Sequence, residues 1–205
     1  MIRPLLWLSL IAACVSPVLS QEASPEKRAQ KLHALSFGEQ CHSEGGYRPD
    51  DPIESWTFDY MPSWSEGSEE DKADVTLVRI FCSSGAYNET HAYYLLREYE
   101  GMTVVGFAEP AFDVKYENDN FDGAVEAITT VGMSATGLLV NSLFDPETLS
   151  IDSFSKWRGL GDASSSGQWM FRDGAFVLVR YAVDASYDGE INPEVLVDYL
   201  DQAGP

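Results

Sequence analysis

The dipeptide Asp173-Gly174 lies at the centre of a stretch, residues 168–181, in which apolar side chains alternate with others. Asp-Gly suits a two-residue type I′ turn, because both central residues of that turn need a positive φ. Four large side chains then share one face of the ribbon, in the facing pairs Phe171–Phe176 and Trp169–Leu178. The stretch therefore predicts a β-hairpin whose aromatic face belongs to a core.

The other face of this hairpin is also fairly apolar. It carries Met170, Val177 and Val179, with Arg172 beside the turn. A slip of one residue would exchange the two faces and bury Arg172, so the register should be firmly set. We expect the hairpin to lie in the middle of a sheet and to be covered on both faces.

Seven further stretches are rich in β-forming residues and are separated by turn signals. They are residues 56–60, 75–82, 92–99, 103–107, 124–131, 137–143 and 149–156. Acidic connections are expected at residues 61–74 and 109–122. Short strands with frequent turns and few helical patterns indicate a mainly β fold, either an antiparallel sandwich or a barrel.

Short helices are predicted at both ends of this β region. Ser24 suits a helix cap and Pro25 the first helical position, and the helix should end at about Ser36. A second helix is expected over residues 193–202, with Asn192 as its cap. We therefore expect an N-terminal helical segment at residues 21–36 and a single all-β domain at residues 37–205.

The first 20 residues have the pattern of an export signal. Arg3 supplies a positive charge, residues 5–15 are apolar, and residues 16–20 contain a proline and small residues before a cleavage site after Ser20. The apolar run is too short to span a membrane. An alternative is a lipoprotein signal with Cys14 as the lipidated residue. Either pattern predicts a periplasmic, secreted or envelope-anchored protein.

The composition is strongly acidic. The chain has 13 Lys+Arg and 33 Asp+Glu, and removal of the signal with Arg3 leaves 12 basic residues and a formal charge of −21. Such a surface repels nucleic acid and anionic lipid, so neither is an expected partner. It could attract cations or basic partners, although acidity that only keeps an exported protein soluble is the more common explanation.

Two cysteines, Cys41 and Cys82, remain after removal of the signal. Two cysteines in an oxidising compartment usually pair, and such a bridge would contribute about 4 kcal/mol by the loop-entropy estimate. Two buried free thiols are the alternative. A metal site is not expected, because neither cysteine has a second cysteine at ligand spacing.

Two polar groups are candidates for ligand binding. Arg158 and Asp162 flank a turn with two glycines, and Tyr87-Asn88 lies in a short loop between two predicted strands. Either group could hold a ligand. For Arg158 and Asp162 the simpler interpretation is an ion pair that braces the turn, and for Asn88 it is a hydrogen bond to its own backbone.

One loop imitates the first positions of a calcium-binding loop. Its oxygen-bearing residues are Asp184, Ser186, Asp188 and Glu190, with Gly189 at the sixth position. Val195 stands where the bidentate glutamate should be, and the preceding segment is a predicted strand. The pattern is incomplete, so weak calcium binding is only a hypothesis. A similar partial pattern occurs over residues 118–129. No other cofactor is expected.

No catalytic motif stands out. His91 could act with Asp162 and a loop serine as an envelope hydrolase, but no histidine lies near those serines in the sequence. We favour a non-enzymatic exported β-domain that binds a partner protein, an envelope component or a cation. The hydrolase is the alternative.

Several motifs in combination resemble an exported bacterial family that carries domain of unknown function 1176 (DUF1176). They are Arg79-Ile80-Phe81-Cys82, Gly85-Ala86-Tyr87-Asn88, Arg158-Gly159-Leu160-Gly161-Asp162, and Trp169 with Phe171-Arg172-Asp173-Gly174 and Phe176. The resemblance spans about residues 37–198. It implies an exported domain but no mechanism. Family members often have a cysteine after the Gly-Asp motif, where this chain has Ala163 and Ser164, so one bridge of the family is not expected here.

Overall fold

A computed structural model describes residues 23–42, 53–121 and 123–200. In this part the chain forms twelve strands, all paired antiparallel, and one α-helix. The strands form three sheets that pack as a sandwich. This confirms the predicted mainly β, antiparallel fold and selects the sandwich over the closed barrel.

The elements follow one another in this order. They are α1 (Pro25–His42), β1 (Glu54–Tyr60), β2 (Ala73–Ser84), β3 (Glu89–Arg97), β4 (Gly101–Val104), β5 (Phe107–Tyr116), β6 (Val125–Thr136), β7 (Leu138–Val140), β8 (Leu143–Asp145), β9 (Ser150–Lys156), β10 (Ser164–Arg172), β11 (Ala175–Asp184) and β12 (Glu194–Asp198). Short 3-10 turns occur at Glu69–Asp71 and Glu117–Asp119.

Most strands of each sheet are consecutive in the chain. The first sheet has the order β1-β2-β3-β4, with β7 also paired to β3, and the second has the order β12-β11-β10-β9-β8. Strands β5 and β6 form a separate two-stranded ribbon. The larger core lies between the two main sheets, is closed by the ribbon, and contains buried Leu77, Tyr93, Phe107, Ile151 and Trp169.

A second, smaller core lies on the other face of the first sheet. Here Ala29 of α1 packs with Val78 and Ile80 of β2 and with Ala92 and Tyr94 of β3. The helix thus shields a sheet face that would otherwise expose apolar surface to water. It extends to His42, six residues beyond the predicted end at Ser36.

The predicted hairpin is confirmed in turn and register. Asp173 and Gly174 have φ values of 45° and 84°, and the pairs Phe171–Phe176 and Trp169–Leu178 lie opposite one another in β10 and β11. The hairpin also lies in the middle of its sheet. The expected cover on its second face is wrong, because Val177 is 38% exposed. A bulge leaves buried Val179 without a partner residue and changes the alternation beyond it.

Two sequence predictions fail at strands that pair with the neighbouring strand in the chain. The expected C-terminal helix over residues 193–202 is wrong, because residues Glu194–Asp198 form β12 and pair with β11. The expected acidic connection at residues 109–122 is wrong as well, because most of it lies in β5. In both cases pairing with the neighbouring strand satisfies the backbone hydrogen bonds and overrides a weak local pattern.

The disulfide between Cys41 and Cys82 is formed, with the two Cα atoms 4.5 Å apart. It joins the last turn of α1 to the end of β2. This confirms the predicted pairing. Among the described residues, no helix has both the length and the hydropathy needed to cross a membrane.

Candidate functional site

Most of the polar residues that the sequence singles out lie at one end of the sandwich. The β2–β3 turn, the end of β9, the turn at residues 157–163 and the loop at residues 184–192 meet there through hydrogen bonds. We call this region the loop end. It brings Tyr87, Asn88, Arg158, Asp162 and the proposed calcium loop into one neighbourhood.

Tyr87 and Asn88 connect the two main sheets. Tyr87 Oη donates a hydrogen bond to the carbonyl oxygen of Trp157 at 3.1 Å. Asn88 Nδ2 donates to the Lys156 carbonyl at 2.8 Å, and Asn88 Oδ1 accepts from the Lys156 amide at 3.2 Å. These contacts hold the β2–β3 turn against the end of β9, which is a structural task.

Asn141 takes part in this junction, and sequence reasoning missed it. Its Nδ2 donates to Asn88 Oδ1 at 2.8 Å and to the Phe154 carbonyl at 2.9 Å, and its Oδ1 accepts from the Glu89 amide at 2.8 Å. The residue has a φ of 43°, in the left-handed region that asparagine tolerates better than most residues. An asparagine between two short strands was the only signal for this role.

Arg158 and Asp162 form the expected ion pair. Arg158 Nε donates to Asp162 Oδ1 at 2.7 Å, and a second guanidinium nitrogen contacts the other carboxylate oxygen. The Asp162 side chain is 2% exposed. The pKa of its carboxyl is held well below the usual range, first by the Arg158 guanidinium and further by backbone amides of Ala163 and Gly189.

The same pair anchors the loop that follows β11. Arg158 also donates to the Tyr187 carbonyl at 2.8 Å, and its guanidinium carbon lies 5.2 Å from the centre of the Tyr187 ring. The Gly189 amide donates to Asp162 Oδ2 at 2.9 Å. The pair therefore braces its own turn, as predicted, and also fixes the neighbouring loop, which the sequence did not predict.

The oxygens of the proposed calcium loop are used within the loop itself. Asp184 Oδ1 accepts hydrogen bonds from the amide and hydroxyl of Ser186 at 3.1 and 2.7 Å, and Asp184 Oδ2 accepts from the Asn192 amide at 2.7 Å. Asp188 Oδ1 accepts from the Glu190 amide at 2.9 Å. Among the described residues, no three His, Cys, Asp or Glu side chains converge as metal ligands would. Calcium binding stays a hypothesis.

A cleft of about 550 Å³ opens between this loop and the start of β6. One wall contains Val125 and Ile128 of the ribbon, and the other contains Ser186, Asp188 and Glu194. Nearby Phe121 is 62% exposed and meets the Tyr187 ring edge-on at 6.2 Å between ring centres. The cleft thus combines apolar ribbon residues, carboxylates and a nearby exposed aromatic ring. Sequence reasoning had no signal for the ribbon wall.

His91 lies in β3 at 6% exposure, edge-on to the Phe81 ring at 5.8 Å. It does not line the cleft described above. The Asp162 carboxylate accepts hydrogen bonds from the Arg158 guanidinium and the Gly189 amide. The hydrolase hypothesis stays untested, and the geometry offers it no support.

The fold and these contacts define an all-β sandwich domain with a helical cover, a disulfide and a loop end built from internal polar contacts. The chain matches the sequence model of the family described as "Protein of unknown function (DUF1176)" over residues 59–191. It therefore belongs to the DUF1176 family, as the motifs indicated.

One curated relative is the "Uncharacterized protein YpfG" of Escherichia coli (strain K12). The two are 25% identical over 122 residues, which cover 59% of this chain and 30% of that protein. The chain thus spans less than a third of the relative's length. No solved structure matches the chain significantly.

Proposed function

We propose that this protein is an exported, non-enzymatic binding module, periplasmic or secreted, whose ligand site is the cleft at the loop end. The cleft carries the proposal, because it combines an open space of about 550 Å³ with a loop that buried carboxylates hold in place. A loop fixed before binding loses little conformational entropy on binding. The ligand is a partner protein or an envelope component.

The proposed compartment has two sources of support. Residues 1–20 have the pattern of an export signal, and a disulfide is typical of proteins outside the cytoplasm. Mass spectrometry of the purified mature protein tests this. We expect an N-terminus at Gln21, whereas a lipid on Cys14 supports the lipoprotein alternative. An unprocessed chain in the cytoplasm contradicts the proposal.

The cleft is tested by site-specific photocrosslinking in cells. A photoreactive amino acid replaces Glu194, which is exposed and lines the cleft, or the matched control Glu147, which is exposed in the β8–β9 turn. We expect a discrete adduct from position 194 and none from position 147. Equal labelling from both positions, or no adduct from position 194, contradicts the site.

A further inference from the structure

A second cleft lies at the opposite end of the sandwich and has exposed aromatic walls. It is formed by Tyr60, Pro62, Trp64, Val75 and Tyr99, among other residues, and has a volume of about 180 Å³. Trp64 is 75% exposed and Tyr99 is 94% exposed. Large aromatic side chains exposed to water beside a cleft are typical of interaction sites.

Hydrogen bonds fix the backbone on both sides of this cleft. The Ser63 amide and hydroxyl donate to the Asp173 carboxylate at 2.8 and 2.7 Å, which ties the segment before Trp64 to the β10–β11 turn. Arg97 donates to the Gly174 carbonyl and pairs with Glu100, which ties down the turn that carries Tyr99. The aromatic rings are thus displayed from an ordered frame, which reduces the entropy that binding costs.

The surroundings of the cleft are acidic. Among the described residues, Asp74, Glu98 and Glu100 line it together with Arg97, which is engaged with Glu100. Arg28 lies beside Asp74 and Glu98 in the adjoining pocket. The adjoining segment of residues 61–72 adds four more carboxylates and one cation, Lys72, which is paired with Asp59 and Glu69. A ligand that enters this region therefore meets negative potential and aromatic ring faces together, and both favour a cation.

We propose that this aromatic–acidic cleft binds a lysine or arginine side chain from a basic segment of a partner protein. The volume of about 180 Å³ suits one long side chain and is smaller than the ~300 Å³ or more of typical small-molecule sites. Trp64 and Tyr99 contact the aliphatic stem and the cationic head, and the carboxylates neutralise the charge. The site lies at the start of β2, whereas the loop end follows the end of this 12-residue strand, roughly 40 Å away.

The test measures binding of a blocked peptide, acetyl-Gly-Lys-Arg-Lys-Gly-amide, by isothermal titration calorimetry in about 0.15 M NaCl, where general charge attraction is screened. The Trp64→Ala variant should bind about tenfold more weakly than wild type, as expected for loss of a cation–π contact and the packing around it. Tyr99→Ala should weaken binding in the same direction. Both side chains are exposed, so the variants should fold, and thermal melts check this.

Two matched controls separate a specific site from diffuse attraction. Tyr199→Ala removes another exposed tyrosine, and Glu147→Gln removes one charge away from the cleft. Both should bind as wild type does, whereas Glu98→Gln should bind more weakly. The proposal is overturned if wild type does not bind the peptide, or if Trp64→Ala and Tyr199→Ala bind equally well. None of these variants changes the loop end, so this result is independent of the crosslinking from Glu194.

Discussion

At the scale of single residues, the most informative side chain is Trp169, which lies in the larger core. Its indole is fully buried, its Nε1 donates to the Ala108 carbonyl at 2.8 Å, and it meets the Phe107 ring at 5.4 Å between centres. The ring lies directly over Gly167 on the same strand. A Cβ atom at Gly167 would lie 2.3 Å from Trp169 Cη2, so this glycine makes room for the indole.

The Gly167→Ala substitution should destabilise the protein by about 1–3 kcal/mol, because the added methyl group forces the indole to move in a packed core. Gly132→Ala is the matched control, since no atom lies within 4 Å of the Cβ position there. Urea unfolding followed by tryptophan fluorescence measures both variants. Equal midpoints for the two variants would show that the indole does not depend on Gly167.

Asp162 gives the protein a specific dependence on pH. Its pKa in the folded state lies below the value of about 3.9 for an unfolded chain, because of the Arg158 guanidinium and the backbone amides. The folded state then binds fewer protons than the unfolded state. The stabilisation by this carboxylate is therefore complete near neutral pH and is lost as the pH falls below about 5.

The Asp162→Asn variant should be less stable than wild type at neutral pH, and the difference should shrink as the pH falls toward about 3. Urea midpoints at several pH values measure this. Asp113→Asn, an exposed carboxylate of β5, serves as the control and should follow the wild-type curve. A constant difference between Asp162→Asn and wild type at all pH values would contradict the assignment.

At the scale of elements, the β10–β11 hairpin shows most clearly how a local sequence sets the packing of two strands. The turn has positive φ at Asp173 and Gly174, and the Asp173 carboxylate also accepts two hydrogen bonds from Ser63. A Cβ atom at Gly174 would lie 2.9 Å from the Tyr60 hydroxyl oxygen. The turn therefore sets the hairpin register and also contacts the loop that follows β1.

The Gly174→Ala substitution should cost about 1–2 kcal/mol, because a residue with a Cβ atom is strained in the left-handed region. Gly106→Ala is a suitable comparison, since that glycine lacks a positive φ and has open space around the Cβ position. The melting temperatures of the Gly174→Ala and Gly106→Ala variants, measured by thermal unfolding, test this difference. If both variants melt at the same temperature, the turn does not need a glycine.

Hydrogen bonds to the Asp184 carboxylate hold the loop between β11 and β12. Asp184 is 3% exposed, and both its carboxylate oxygens accept hydrogen bonds from the loop. We therefore expect millimolar calcium to leave the melting temperature unchanged, since a ligand stabilises only by binding the folded state. A calcium-dependent rise that Asp188→Asn abolishes would instead establish a weak site.

At the scale of the whole molecule, the Cys41–Cys82 bridge attaches the helical cover to the sandwich. The bridged residues are 41 apart in sequence. The bridge keeps α1 over the smaller core, where buried Ala29 lies against Val78 and Ile80. Without it, the covering helix would depend on these contacts and on a few polar ones.

Replacement of both cysteines by serine should lower the free energy of unfolding by about 4 kcal/mol, the loop-entropy estimate for a bridge of this span. Alkylation followed by mass spectrometry should find no accessible thiol in the mature wild-type protein until a reductant is added. Two alkylated thiols in the absence of reductant would contradict the bridge. Reduced wild type should match the double variant in stability.

The parts of the fold that the sequence predicts well have short-range causes. Turn chemistry explains the Asp173-Gly174 turn, the content of β-forming residues explains strands β2 and β9, and helix capping explains the start of α1 at Pro25. The residues at the loop end were also identified, but their joint position was not, because it depends on contacts such as Gly189 to Asp162 and Tyr187 to Arg158.

The sequence by itself determined the strand-rich class and the register of the β10–β11 hairpin, since each follows from local residue chemistry. It also predicted the Cys41–Cys82 pair and the family, and the disulfide in the structure and the family match confirm them. Only the tertiary structure decided that the segment after Asn192 is a strand, that β5 and β6 form a separate ribbon, and where the two clefts open. The physical reason is that a strand is completed by hydrogen bonds to another strand, and the local sequence of a segment does not specify which strand that is. A cleft likewise exists only between elements that the fold has brought together.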